Sequence, residues 1–94
     1  MEKTVQKKLG IVCDNIRSQR QIKQYTQEYM AQKLSISQNA FSKIELGVTL
    51  PTIKRIFQIA YILEIKVSDL IEANPGITLN AIAQDSAVKI SAAG

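Results

Sequence analysis

Four residues of this 94-residue chain are well equipped for recognition chemistry: Gln38, Asn39, Ser42 and Lys43. At about 100° per residue, with Gln38 set at zero, Ser42, Asn39 and Lys43 fall within about 140° of one helix face. Ala40, Phe41 and Ile44 fall on the other side. The polar face combines two amides, a hydroxyl and an ammonium, and it has no carboxylate to repel an anion. Such amides can pair bidentately with adenine, and lysine can reach guanine acceptors or phosphates. An ordinary solvated helix face has the same composition, so the surrounding elements must decide between the two readings.

Catalytic chemistry has no comparable candidate. The chain contains no histidine, which removes the usual general base and the commonest metal ligand. Its single cysteine, Cys13, lies four residues after Leu9 on a predicted helix and reads as a core thiol, not a reactive one. One cysteine cannot form an internal disulfide, which favours a reducing compartment. Asp14, Asp69 and Asp85 read as surface or capping residues. With no Gly-rich phosphate loop and no metal-ligand spacing, neither an enzyme nor a cofactor or metal site is expected.

Helical periodicity positions the polar face. Val5, Leu9, Val12 and Ile16 recur at spacings of three and four, which predicts a first helix over 4–22. Thr26 suits an N-cap, because its hydroxyl can accept a free backbone N–H of the next turn. Gln27 to Leu34 then forms a second helix with Met30, Ala31 and Leu34 on one side. Ser35-Ile36-Ser37 interrupts the pattern, and Ser37 can cap a third helix, about 38–46, that stops at Gly47. Pro51 suits the start of a fourth helix, whose apolar stripe is Ile53, Ile56, Phe57, Ala60 and Leu63. Val67 or Ser68 opens a short fifth helix containing Leu70 and Ile71, and Asn74-Pro75-Gly76 is a stop signal. The predicted fold class is all-α: a compact five-helix domain over 1–73 with a short tail over 74–94.

The bulk numbers agree with one small domain. Apolar residues make up 46% and charged residues 21%, a globular balance, and 94 residues allow one modest core. The net charge of +4 and the pI of about 9.4 suit a polyanion partner. From Ile77 onward Asp85 and Lys89 cancel, so the excess charge lies in the first 76 residues. Ile77-Thr78-Leu79 and Val88-Lys89-Ile90 alternate in strand fashion, so the tail is either flexible or ordered by a partner. No apolar run approaches the ~18 residues of a membrane span, and no h-region follows the N-terminal lysines, so a cytoplasmic protein is expected. Lys3, Lys7 and Lys8 read as a solvated N-terminus. Tyr25, Tyr29, Phe41, Phe57 and Tyr61 read as core or half-buried, not as stacking platforms.

Two short helices joined by three residues, with a small Ala31 where they cross and a polar face on the second, form a helix-turn-helix pattern. The stretch Arg20, Thr26-Gln27-Glu28-Tyr29-Met30-Ala31, Leu34-Ser35-Ile36-Ser37, Phe41-Ser42-Lys43-Ile44-Glu45 and Gly47 resembles the phage-repressor-like (Xre-type) helix-turn-helix family. Pro51-Thr52-Ile53 and Ile56 to Ile71 resemble its fourth and fifth helices, so the resemblance covers about residues 9–72. It implies a lambda-repressor-like fold and a sequence-specific regulator of transcription, most simply a repressor, bound to double-stranded DNA as a homodimer.

The resemblance assigns base reading to Gln38, Asn39, Ser42 and Lys43, with Ser37 at the start of the same helix. It assigns a phosphate contact to Gln27, which also braces the first recognition residue. Lys54 and Arg55 fall near the family's backbone contacts, where phosphate contact and solvation are both open. Arg20 and Glu45 match a partly buried ion pair. An alternative reading is an antitoxin-like interaction module whose tail from Ile77 covers a partner protein. Two positions depart from the family, which often has Gly where this chain has Gln24 and Ser35. Either Ser35 adopts a left-handed conformation at a cost of about 1 kcal/mol or more, or the turn differs in shape.

Overall fold

A computed structural model describes residues 1–73, and the expectations for the tail lie outside the described residues. Five helices follow one another: α1 (Glu2–Ile22), α2 (Gln27–Leu34), α3 (Gln38–Glu45), α4 (Ile53–Leu63) and α5 (Ser68–Ile71). No strand occurs among the described residues. Three helices open on a hydroxyl cap. Thr26 Oγ1 accepts from Tyr29 N at 2.9 Å, Ser37 Oγ from Ala40 N at 3.0 Å, and Thr52 Oγ1 from Arg55 N at 3.1 Å. Each satisfies a backbone donor that the helix cannot pair internally.

Every helix contributes to one core. Ile16, Met30, Phe41, Ile59, Leu63 and Leu70 are completely buried, with Ala31, Leu34, Ile44, Ile56 and Ala60 around them. Burying a side chain of the larger kind stabilises the fold by about 1.5–3 kcal/mol. Ala31 of α2 is buried in this core, and its single methyl takes up little room there. Asn15 is a buried polar residue on α1 whose amide donates to the Leu70 and Glu72 carbonyls, both at 2.9 Å. It thereby fastens α5 to α1 and satisfies carbonyls at the end of a helix too short to do so itself. Cys13 is buried, and burial, helped by the Asp14 carboxylate, pushes its thiol pKa up, so the sulfur stays protonated at neutral pH.

α4 departs from expectation. Its buried positions are Ile56, Ile59, Ala60 and Leu63, whereas Ile53, Phe57 and Tyr61 are exposed. Phe57 and Tyr61 are therefore neither core nor half-buried. The apolar residues of α4 span a wider arc than the rest of the bundle can cover, and the four-residue series falls on the uncovered side. On α1, Val5 is likewise exposed.

The ends of α1, α2, α3 and α4 share one closure. After α2, Ser35 N donates to Gln32 O and Ile36 N to Ala31 O; after α4, Glu64 N donates to Tyr61 O and Ile65 N to Ala60 O. Gln24 with Tyr25, and Gly47 with Val48, repeat this pattern at the ends of α1 and α3. The pivot is left-handed each time, with φ 62° at Gln24, 59° at Ser35, 80° at Gly47 and 58° at Glu64. Only one of the four is glycine, so the other three carry backbone strain. Glycine there relieves the strain but loosens the unfolded chain, which leaves a net gain of up to about 1 kcal/mol per site. Ser35→Gly and Gln24→Gly should each raise the melting temperature, by roughly 4–8 °C per kcal/mol gained in a domain of this size. An unchanged or lowered midpoint in thermal melts would show that these turns hold no relievable strain.

Candidate nucleic-acid interface

α3 has two unlike sides. Phe41 and Ile44 anchor it in the core, and Glu45 points inward at its last turn with 2% of its surface exposed. Gln38, Asn39 and Lys43 lie exposed on the other side, and Ser42 is half-buried between them. The inward contacts hold the helix while the polar side chains remain open to solvent. Ala40 is half-buried, not part of the apolar back. It lines a groove beside Asn39 and Lys43 whose far wall is Thr49, Pro51, Thr52 and Arg55. No acidic residue lines this groove. The N-termini of α3 and α4 both adjoin it through Ser37 and Thr52, and their dipoles add to the positive field.

The Glu45 carboxylate fastens α3 to the two preceding helices. Arg20 on α1 donates to it through Nε at 2.6 Å and Nη2 at 3.2 Å, a bidentate pair. Arg20 Nη1 also donates to the Tyr25 carbonyl at 2.9 Å, which holds the guanidinium in the turn after α1. Side-chain exposure is 13% for Arg20 and 1% for Glu45, so water competes little for either partner. Arg17 reaches the edge of the same carboxylate at 4.0 Å from a more exposed position.

Gln27, at the start of α2, donates its amide nitrogen to Glu45 Oε1 at 2.9 Å. A carboxylate only accepts, so the amide must point its nitrogen inward. Three elements thus meet at one buried anion: α1 through Arg20, α2 through Gln27 and α3 through Glu45 itself. This bond between Gln27 and Glu45 has no sequence signature, because the two residues are 18 positions apart.

Ser37 spends a hydroxyl lone pair on its cap and is itself exposed. Lys54 is exposed on the first turn of α4. Arg55 is neither free nor simply solvated. Its Nη1 donates to the Leu34 carbonyl at 3.3 Å and to Gln58 Oε1 at 3.1 Å, tying α4 to the end of α2. Tyr25 and Tyr29 are half-buried and lie against each other with ring centroids 4.4 Å apart, and Lys33 Nζ sits 5.5 Å from the centre of the Tyr29 ring. Thr49 and Thr52 complete the groove. Threonine near a proline reads first as turn chemistry, so residue type alone does not mark either as part of a groove. Among the described residues no group of three or more His, Cys, Asp or Glu side chains could hold a metal. No helix among them is long and apolar enough to cross a membrane.

A capped pair of short helices, the first with a buried alanine and the second presenting its polar side, defines an all-α helix-turn-helix DNA-binding domain. A family model described as helix-turn-helix matches residues 16–70, more than half of the chain, and the protein belongs to this Xre/lambda-repressor-like family of DNA-binding transcription regulators. The searches of curated proteins and of solved structures returned no match. The partner of the domain is double-stranded DNA.

Proposed function

We propose that the protein is a sequence-specific repressor that reads the major groove through α3. The observation that carries this reading is the division of labour on that helix. Its large apolar residues and its one acidic residue are turned inward, and its exposed residues are Gln38, Asn39 and Lys43, beside a half-buried Ala40 and Ser42. Base edges are the chemistry that two amides, a hydroxyl and an ammonium on one rigid face can discriminate. Ser37, Gln27 and Lys54 border this face and contact the phosphate backbone, which fixes register without reading sequence. Gln27 does so with the amide hydrogen it does not give to Glu45. One such helix reads only a few base pairs, so two copies bind a two-fold operator as a homodimer. Occupying a promoter-proximal site then blocks transcription. The protein acts in the cytoplasm and catalyses no reaction.

Selection from a random duplex pool at two salt concentrations tests this reading. Wild type should enrich a palindromic motif, and a Gln38→Ala/Lys43→Ala variant should lose it while retaining salt-sensitive binding to any duplex. Enrichment of the same motif by both proteins would remove α3 from the reading role.

A further inference from the structure

α4 carries a second apolar series that the fold does not use. Ile53, Phe57 and Tyr61 are 77%, 59% and 85% exposed, and their four-residue spacing makes them one continuous stripe. A groove between α2 and α4, lined by Lys33, Leu34, Phe57, Gln58, Tyr61 and Ile62, borders the Phe57 and Tyr61 part of it. Single exposed apolar residues are ordinary, but a contiguous series of large ones marks a contact surface. None of Gln38, Asn39, Ser42 and Lys43 lines this groove.

We propose that this stripe is the contact for a second copy of the chain, packed antiparallel about a two-fold axis at Phe57. The inference rests on the two-copy reading above and supplies its surface. Residues four apart on a helix drift by about 40°. Ile53 therefore lies on one edge of the stripe, Tyr61 on the other, and Phe57 between them. In an antiparallel pair, Ile53 of one copy falls beside Tyr61 of the other, and Phe57 meets its own copy. A short side chain lies next to a long one at both ends, which is the self-complementarity a two-fold contact requires. Charge selects the same direction. The N-terminus of α4 carries the positive end of its dipole and Glu64 caps the other end, so antiparallel packing brings opposite charges together at each end, whereas parallel packing stacks like charges.

Area sets the strength. Aromatic side chains cover roughly 150–250 Å² each, so the exposed fractions of the stripe come to roughly 300–450 Å² per copy. A pair would bury roughly 600–900 Å², below the ~1,200–2,000 Å² of a stable interface. The contact is therefore a weak one that gains occupancy when two copies stand on neighbouring half-sites.

Sedimentation equilibrium of the full chain without DNA tests the proposal with Ile53→Lys, Tyr61→Glu and an equimolar mixture of the two. Wild type should self-associate in the micromolar to millimolar range. Each variant alone should associate at least about ten-fold more weakly, and mixing should restore pairing, because the new lysine of one copy meets the new glutamate of the other. Both positions are exposed, so helical circular dichroism should be unchanged. A wild type that stays monomeric at all concentrations overturns the proposal, as it would if the tail folded back over its own α4. Variants that associate as well as wild type, or a mixture that stays monomeric, overturn it too. Wild-type binding to a DNA half-site, which needs only one copy, reports separately on the groove-reading model.

Discussion

Glu45→Ala should lower the unfolding free energy by about 3–5 kcal/mol, the usual consequence of removing one member of a buried ion pair. Small domains hold only about 5–15 kcal/mol in total, so this one substitution should consume a large share of the stability. The loss comes from what is left behind. Arg20 is 13% exposed, and its guanidinium would keep only the Tyr25 carbonyl, while the Gln27 amide would lose its acceptor. Glu45→Gln should cost nearly as much despite its matching shape. Its –NH2 group would face either the guanidinium or the Gln27 amide nitrogen, donor against donor. Replacing both partners with apolar residues, as in Arg20→Met/Glu45→Leu, removes both charges together and should sit closer to wild type than either single variant. Urea titrations followed by circular dichroism would read all four proteins. Single variants that unfold with wild type would mean that the carboxylate is only tolerated in its buried position.

That network also marks where sequence reasoning stops. The five helices are legible because apolar spacing, hydroxyl caps and Pro51 are local signals, and the expected caps at Thr26 and Ser37 are the ones the structure shows. The outward position of Gln38, Asn39 and Lys43 is legible for the same reason, since helical phase alone separates them from Phe41 and Ile44. What is not local is lost unless the family resemblance supplies it, as it does for Arg20 and Glu45. Asn15 reads as an ordinary polar residue of α1 until α5, some 55 residues later, brings its carbonyls to the amide. Phe57 and Tyr61 read as core or half-buried because residue type carries no record of how far the neighbouring helices extend. The turns hold an intermediate lesson. Gln24, Ser35 and Glu64 are poor signals for a left-handed residue, yet each is followed by Tyr25, Ile36 or Ile65, which pack against the core. An apolar residue directly after the left-handed position accompanies this closure, so the pattern was present in the residue after the one that glycine would have marked.

The largest functional effects should come from Gln38 and Lys43, and they should differ in kind. Gln38 is exposed at the first position of α3, so Gln38→Ala leaves the fold intact and removes a bidentate donor–acceptor pair. Such a pair discriminates its base by about 1–3 kcal/mol, which is roughly a 5- to 150-fold loss on the preferred site and little change on a site with that base altered. Lys43 lies one further turn along, beside the groove formed with Thr49 and Thr52, where an ammonium can meet either a guanine edge or a phosphate. The two contacts leave different signatures. If Lys43 reads a base, Lys43→Ala should relax preference at one position. If it holds a phosphate, the variant should weaken all duplexes alike and flatten the dependence of log K on log salt by about one. Lys54→Ala should behave in the second way only. Fluorescence anisotropy on a preferred duplex and its single-base variants, at several salt concentrations, separates these outcomes. Equal affinity of Gln38→Ala and wild type for every duplex would show that Gln38 does not reach the base edges, since loss of fold is not expected at an exposed position.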